Sequence, residues 1–473
     1  MNQTPLKGHY IILYIPFLLS LLVSNDVMSY LIAWIGSFWI FYCCYAGVIK
    51  PIPSDLKWYE QIMRPLFLNQ IIFAGYMSCT SIFYWMRLLG FHYLDYSQPV
   101  LDNSHMINMA AQCQRMYCLG HAALATGLLW QMRYPMNTKT HIQIANYSSF
   151  FLKTALIAFP VSIIIAAIPG LNQFSLQAKG LSFSAGTLAL AFAIPEKRRL
   201  NTTIAAVLFF ANVLQAMRSG FKEPIIVAFL ILGIFLFPFY RKLVLVIMVP
   251  VILLLFFVLP TFNTVFRQKA WSEGVDPASA ARIALDAVIN GTNNSGAPAS
   301  FEDTNWAFLT LRLSEMSMFI QFKEQVPEHI PYEGLNLIKQ AALSTVPRLI
   351  WPSKPITEQL VMQRVIRAGI VSETSNVSAK PAYIVDSYLS AGPIGVFLGL
   401  FIYGVVSQWL ARKAEYLFGS YLLGNALIFT GMFQALWRGN SYEFIVNIIF
   451  WSTVGMYLIF YLFKRLDIIT VAE

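Results

Sequence analysis

The sequence is poor in charge. Charged residues make up only 12% of the 473 residues, against roughly 25% in an average soluble domain, whereas 57% are hydrophobic. A soluble body of this size has too little interior to bury that much apolar surface. The composition therefore excludes a soluble enzyme, a disordered chain and a nucleic-acid-binding protein, and it predicts a membrane protein.

Motifs typical of metal and redox sites are also missing. The chain contains no Cys-x-x-Cys pair and no Asp-x-Asp motif. We therefore expect no metal, no cofactor and no disulfide framework, and we interpret the cysteines as small buried hydrophobic groups. No internal repeat is evident, which disfavours the transporters that are built from repeats. The cysteines are Cys43, Cys44, Cys79, Cys113 and Cys118.

Long apolar runs are what the chain does have. About twelve runs are apolar and long enough to span a membrane as helices. We predict an all-α polytopic membrane protein with about 12 transmembrane helices. Helices 1–9 lie within residues 1–260, one large outer (periplasmic) loop comprises residues 261–390, and helices 10–12 lie within residues 391–473.

Positive charge alternates along the connections between these runs. Sixteen Lys and Arg residues fall in every second connection and in the two termini. The intervening short loops, around Asn25–Asp26, Phe91–Ser104 and Pro169–Asn172, contain none. Because Lys and Arg accumulate in cytoplasmic loops, the pattern predicts that both termini are cytoplasmic.

The large outer loop is divided by composition. Ser272–Asp303 is rich in Gly, Ala, Ser and Asn, which predicts a flexible segment. Trp306–Gln325 and Leu335–Val346 have apolar residues at helical spacing and are predicted to form short amphipathic helices. Three prolines in the next segment, Pro347–Pro355, predict a stiff, non-helical path.

Some cations are not explained by orientation. Arg218, Lys222 and Arg438 lie in short outer loops, where positive charge works against the predicted topology. A bound anion would offset this, and guanidinium matches phosphate in a bidentate geometry. Pairing with Glu223 or Glu443, or with lipid headgroups, is the alternative. Three more cations fall within the outer halves of spans, where snorkelling is the alternative to function: Arg87, Arg115 and Lys179.

The segment Pro347–Pro355, with the pattern Pro-Arg-x-x-Trp-Pro-x-Lys-Pro, resembles one that recurs in Wzy-type oligosaccharide repeat-unit (O-antigen/exopolysaccharide) polymerases. The segment Ser378–Tyr388 resembles the same polymerases. So does the layout of the chain, with many spans and one large outer loop late in the sequence. The resemblance implies an enzyme that joins glycan repeat units carried on undecaprenyl diphosphate, at the outer face of the bacterial inner membrane. It also implies similarity to the C-type glycosyltransferases, which use lipid-linked donors and act without a metal. A partner that controls chain length is a further expectation.

The implied chemistry assigns roles to residues. A hydroxyl of the incoming unit attacks the anomeric carbon with inversion, and fixed cations stabilise the leaving diphosphate. Arg348 and Arg438 are the predicted catalytic cations, and His329 is favoured as general base over Glu315, Asp386, Glu443 and His105. The predicted diphosphate-binding residues are Arg115, Arg218, Lys222, Arg348, Lys354 and Arg438.

Three other functions remain open at the level of sequence. An O-antigen-ligase-like enzyme would use the same donor and a different acceptor. A transporter or flippase would move the lipid-linked glycan itself, and a scaffold for polysaccharide assembly would have no catalytic site.

Overall fold

A computed structural model describes residues 9–96, 103–134, 140–142, 144–168, 171–218, 220, 223–290, 300–348, 350–373 and 379–471. Within this part of the chain the protein is helical, apart from two pairs of short antiparallel strands. The strands are β1 (Phe91–His92) with β2 (Asp95–Tyr96), and β3 (Thr140–Ile142) with β4 (Ile469–Val471).

Helices occupy the predicted membrane-spanning runs throughout the described residues. Before the large loop they are α1 (Ile15–Leu22, after a 3-10 turn at Tyr10–Tyr14), α2 (Asp26–Tyr45), α3 (Pro65–Gln70), α4 (Ser81–Leu88), α5 (Ser104–Gln131), α6 (Tyr147–Ala167), α7 (Asn172–Ala193), α8 (Arg199–Arg218), α9 (Glu223–Leu236) and α10 (Arg241–Arg267). A π-helical stretch, Ile71–Cys79, joins α3 to α4, and a 3-10 turn lies at Trp58–Glu60.

The large loop and the C-terminal region are helical as well. Their helices are α11 (Pro277–Asn290), α12 (Phe301–Ala307), α13 (Met316–Gln325), α14 (Asn336–Ser344), α15 (Thr357–Arg367), α16 (Tyr383–Phe418), α17 (Thr430–Met432), α18 (Gln434–Arg438) and α19 (Tyr442–Arg465). Further π-helical stretches lie at Gln268–Ser272, Phe308–Arg312 and Leu422–Phe429.

Seven continuous helical segments among the described residues are long and apolar enough to cross a membrane. Three shorter helical segments are also apolar: Tyr10–Leu22, Glu223–Leu236 and Leu422–Met432. The chain is therefore a helical protein with the character of a multi-pass membrane protein. The count of about twelve spans stays a prediction.

The described residues form two compact units. The first draws on Met1–Ile142, Ile164–Gln177 and Leu309–Glu473, and the second on Gln143–Ile163 and Ala178–Phe308. This division does not follow the predicted boundaries at residues 260 and 390.

Helix α5 lies at the centre of the first unit and packs closely on α16. A Cβ atom on Gly127 would lie 2.3 Å from the carbonyl oxygen of Phe401, and one on Gly404 would lie 2.3 Å from that of Leu124. The two backbones thus touch where small residues face each other, as in many membrane helix pairs.

Helix α16 is kinked at the predicted start of the tenth span. Ala391 and Gly392 have non-helical backbone angles, and Gly392 has a positive φ of 59°. The predicted boundary at 390/391 falls at this kink. Residues 383–390 are already helical, so the helix begins before the kink.

The prediction of a flexible segment at Ser272–Asp303 was wrong for the residues of α11. Ala280, Ala284 and Ala287 recur at helical spacing and are fully buried in one cluster with Phe262 and Phe266 of α10. These contacts also explain why α10 continues past the predicted boundary at residue 260. Residues 291–299 lie outside the described part of the chain.

The amphipathic helices are confirmed in part. Helix α14 lies within Leu335–Val346, as predicted. Trp306–Gln325 is instead broken, because a π-helical stretch follows α12 and Glu315 adopts a left-handed backbone (φ 55°) before α13.

Contacts within the first unit join connections that the charge pattern places on the same side. Strand β3 pairs with the C-terminal β4, and the Arg412 side chain donates to the carbonyl of Gln131 (3.1 Å). On the predicted outer side, the Asn108 amide donates to Asp26 (3.0 Å) and Tyr117 donates to the carbonyl of Ser314 (2.8 Å). These contacts agree with the predicted alternation of the helices of this unit.

Candidate functional site

A buried arginine organises the predicted outer side of the first unit. Helix α15 turns Val361, Arg364 and Val365 inward, at a spacing that places them on one face. Arg364 Nη1 lies 2.8 Å from Glu443 Oε1, and its Nη2 lies 3.1 Å from Asp386 Oδ1. Both carboxylates are fully buried, and Arg364 is only 5% exposed.

Asp386 connects this arginine to two apolar helices. It lies in the first turn of α16 and accepts a hydrogen bond from the backbone N–H of Tyr442, the first residue of α19 (3.0 Å). The Tyr442 hydroxyl donates to Ser387 (3.0 Å), and the backbone N–H of Tyr383 donates to the carbonyl of Gly439 (3.0 Å). The starts of α16 and α19 are thus fixed to each other and to α15.

Arg364 stays charged in this setting. Burial acts to lower its pKa, but the carboxylates of Asp386 and Glu443 raise the pKa of Arg364 above its ordinary value. We name these three residues the Arg364 cluster.

The cluster changes the expectation for two candidate bases. Asp386 and Glu443 are fully buried and bonded to Arg364, so neither is open to a substrate hydroxyl. Glu443 pairs with Arg364, whereas the Arg438 guanidinium lies over the Trp437 ring, 5.2 Å from its centroid.

The end of α14 and the residues that follow it are docked on α19. The Ser344 hydroxyl donates to the carbonyl of Glu443 (2.9 Å), and the Asn447 amide donates to the carbonyl of Ser344 (2.6 Å). The Trp451 indole donates to the carbonyl of Thr345 (3.0 Å). The proline-rich segment therefore continues from an anchored position.

Lys354 holds this segment together from inside. Its side chain is buried, and Nζ donates to the carbonyls of Ser344 (2.5 Å) and Val346 (2.8 Å). Burial and the neighbouring Arg348 lower the pKa of Lys354. The ammonium group of Lys354 thus serves the loop backbone, and its predicted role in diphosphate binding stays a prediction.

Arg348 has the opposite character. Its side chain is exposed and makes one hydrogen bond, from Nη1 to the carbonyl of Pro352 (3.3 Å). Among the described residues the other guanidinium donors have no protein partner. Arg348 is therefore presented to solvent from a segment that Lys354 and α19 keep in place.

Arg438 lies just before the start of α19. It is the last residue of α18, is half-buried, and precedes α19 by a short turn in which Gly439 has a φ of 73°.

The remaining predicted residues have contacts of their own, are exposed, or lie outside the described part of the chain. Arg115 donates from Nη1 to the Ser29 hydroxyl (2.9 Å) between α5 and α2. His329 is exposed, with Nδ1 3.4 Å from the carbonyl oxygen of Glu324. Arg218 is exposed at the end of α8 in the second unit, and Lys222 lies outside the described residues.

Sequence reasoning missed the buried arginines. Besides Arg364, Arg64 bonds Asp55 (2.6 Å) and Glu415 (2.9 Å) and lies over the Tyr134 ring, 3.9 Å from its centroid. For Arg364 a signal was present, since it occupies the apolar face of an amphipathic helix. For Arg64 we find none, because its partner Glu415 is 351 residues away.

Comparison with known proteins gives one match. A sequence-family model described as a domain of unknown function (DUF8712) matches residues 15–471. No match is found among curated proteins or among solved structures. Since the matched residues span nearly the whole chain, this protein belongs to the DUF8712 family.

Proposed function

We propose that this protein polymerises undecaprenyl-diphosphate-linked oligosaccharide repeat units into a surface polysaccharide. The observation that carries the proposal is Arg348: an exposed guanidinium on a docked, proline-rich segment whose sequence resembles that of repeat-unit polymerases. The donor's diphosphate lies at headgroup depth because its lipid is held in the bilayer. A cation on a segment docked against an apolar helix suits that position.

The proposed setting is the outer face of a bacterial inner membrane. In it, about twelve helices span the membrane and both termini are cytoplasmic. The alternation of Lys and Arg supports this arrangement. So do the contacts of the first unit, which join connections assigned to the same side.

The proposed reaction is an inverting glycosyl transfer without a metal. The hydroxyl oxygen of the incoming unit forms a bond to the anomeric carbon of the growing chain. The bond from that carbon to the diphosphate breaks, and the lipid diphosphate leaves with the electron pair. Arg348 and Arg438 stabilise the charge that develops on it. The hydroxyl proton goes to His329, whose exposed ring is accessible to a substrate.

A reconstituted reaction tests the proposal. Purified full-length protein is incubated with its cognate lipid-diphosphate-linked repeat unit and without added metal, and the products are resolved as a glycan ladder. We expect polymer from the wild type. For Arg348→Gln we expect a loss of rate of about 100-fold or more, as when one donor to a developing charge is removed. Arg348→Lys should retain part of the activity, because it keeps the charge and loses the planar fork.

Lys339→Gln is the matched control. Lys339 is an exposed cation on α14, the helix that precedes Arg348 in the chain. We expect its replacement to leave the ladder unchanged. Wild-type polymer from Arg348→Gln would reject the site. Transfer of preformed glycan to a separate acceptor, with no lengthening, would show a ligase instead. Movement of the lipid-linked unit across vesicles without glycan transfer would show a flippase.

A further inference from the structure

Three cations gather at the C-terminal end of α5, in connections that the charge pattern assigns to the cytoplasmic side. Lys50 Nζ donates to the carbonyl of Leu129 (2.9 Å), and Arg412 Nη1 donates to the carbonyl of Gln131 (3.1 Å). Arg133 follows two residues later and is exposed. The last carbonyls of a helix attract cations. This explains why Lys50 and Arg412 each donate one hydrogen bond to a carbonyl at the end of α5.

Among the described residues, the partners of these cations are the two capped carbonyls and the side-chain oxygen Oε1 of Gln131, 3.3 Å from Arg412 Nη1. Arg412 Nε is buried and has no hydrogen-bond acceptor among the described residues. The nearby carboxylates, Asp55 and Glu415, are already bonded to Arg64. The cluster of Lys50, Arg133 and Arg412, which we call the α5 basic cluster, therefore carries an excess of positive charge.

The three cations also act on each other. Burial, followed by repulsion from Arg133 and Arg412, lowers the pKa of Lys50. Like charges held this close favour a shared anion, because one phosphate relieves the repulsion among all three.

Apolar surface runs from the cluster along the membrane helices. Trp130 precedes Gln131, and Trp409 lies one turn before Arg412; both indoles are exposed, by 51% and 46%. The Trp130 ring lies 5.7 Å from that of Phe401, and the Phe401 ring stacks on that of Phe397, one turn earlier in α16. Tryptophan is typical of the headgroup level, and the aromatic surface beyond it suits acyl chains.

We propose that the α5 basic cluster binds the phosphate of an anionic glycerophospholipid of the cytoplasmic leaflet, whose acyl chains lie along Trp130, Phe401 and Phe397. The site is independent of the proposed glycosyl transfer and lies on the opposite face. Basic pockets between membrane helices on the cytoplasmic side are a known way of binding anionic headgroups.

Native mass spectrometry of the full-length protein in detergent tests the proposal. The protein is incubated with phosphatidylglycerol or with phosphatidylcholine of the same acyl chains, and retained lipid is counted. We expect the wild type to retain phosphatidylglycerol over phosphatidylcholine by roughly tenfold or more. The triple variant Lys50→Gln, Arg133→Gln, Arg412→Gln should retain the two lipids equally.

A second triple variant is the matched control. Arg198, Arg199 and Lys242 are exposed cations of predicted cytoplasmic connections in the second unit. Their replacement by Gln should leave the preference intact. Arg133→Gln alone removes an exposed side chain, so it tests the site even if the triple variant does not fold; we expect it to lower the preference about fivefold.

Three results would overturn the proposal. One is equal retention of the two lipids by the wild type. Another is the same loss of preference in the control triple variant, which would indicate general attraction to basic loops. The third is protection from thermal unfolding by inorganic phosphate that matches protection by phosphatidylglycerol, which would indicate a site for a soluble anion.

Discussion

At the scale of single residues, the Arg364 cluster shows how one cation joins separate parts of the chain. Its carboxylates are 22 and 79 residues away along the chain. A buried ion pair of this kind gains little over an apolar replacement of the whole group, but the loss of one member leaves charge buried without compensation. Arg364 is therefore more important as a partner of two carboxylates than as a stabilising contact by itself.

We predict that Arg364→Gln lowers the free energy of unfolding by about 3–5 kcal/mol, because Asp386 and Glu443 stay buried without their counterion. Thermal unfolding in detergent measures the change. Arg367→Gln on the same helix is the control. The Arg367 side chain is 56% exposed and its partner is Glu333, so the expected loss is at most about 1 kcal/mol. Equal losses in the two variants would contradict a central role for the cluster.

Arg348 and Lys354 illustrate what sequence could not separate. Both are cations in one proline-rich segment, and residue type alone gives them the same predicted role. In the structure Arg348 is exposed, whereas Lys354 is buried on the carbonyls of Ser344 and Val346. The difference depends on how the segment folds back on α14, which no local pattern specifies.

At the scale of elements, the contact between α5 and α16 determines how the first unit packs. Apolar side chains cannot drive association of helices in lipid, because lipid is equally apolar. Close backbone contact at Gly127 and Gly404 provides van der Waals packing instead. Each glycine lies where a methyl group would collide with a backbone carbonyl of the other helix.

Gly127→Ala and Gly404→Ala should each destabilise the protein by about 1–3 kcal/mol, because the added methyl group forces the helices apart. The midpoint of thermal unfolding, followed by size-exclusion chromatography after heating, measures this. Gly75→Ala in the π-helical stretch is the control. Its Cβ would meet only the side chain of Ile71, at 3.9 Å, so we expect a change within about 0.5 kcal/mol. Tolerance of alanine at both contact positions would show that the helices are not held at this distance.

Most elements were predictable and a few were not, for physical reasons. Apolar runs of spanning length must be helical, since lipid leaves the backbone no other hydrogen-bond partners. Helix α11 was missed because its buried face is made of alanine. The composition of the segment, rich in small residues, was interpreted as that of a flexible loop. The break at Glu315 was missed because the apolar spacing of Trp306–Gln325 continues across it.

At the scale of the whole molecule, the charge pattern carries a prediction of sidedness but no prediction of which charges pair. The alternation of Lys and Arg depends only on which loops hold them, so it needs no knowledge of packing. The candidate site depends on pairings such as Arg364 with Glu443, which bring distant segments together. Exposed cations such as Arg348 could be identified from sequence. Of the buried ones, Arg364 left a signal on the apolar face of α15, whereas Arg64 left none.

The predicted topology makes a statement about both units that labelling can check. We expect cysteines placed at Lys57 and Arg199, in predicted cytoplasmic connections, to react with an impermeant maleimide only after the membrane is permeabilised. Cysteines at Lys339 and Arg282, in the predicted outer loop, should react in intact spheroplasts, because a charged reagent reaches the outer face of the membrane but does not cross it. All four side chains are exposed, so sidedness and not burial decides the result.

The parent chain is the control, since four of its five cysteines are buried. Labelling of Lys57→Cys from outside would show that the topology is the reverse of the predicted one. Arg348 would then not lie on the face where the proposed donor lies. Agreement at Lys57 and Lys339 with reversal at Arg199 would mean that an odd number of spans separates Lys57 from Arg199. The predicted count of about twelve would then fail, although the arrangement of the first unit would stand. Lys57 and Arg199 together therefore test the number of spans, and Lys57 and Lys339 test the face on which Arg348 acts.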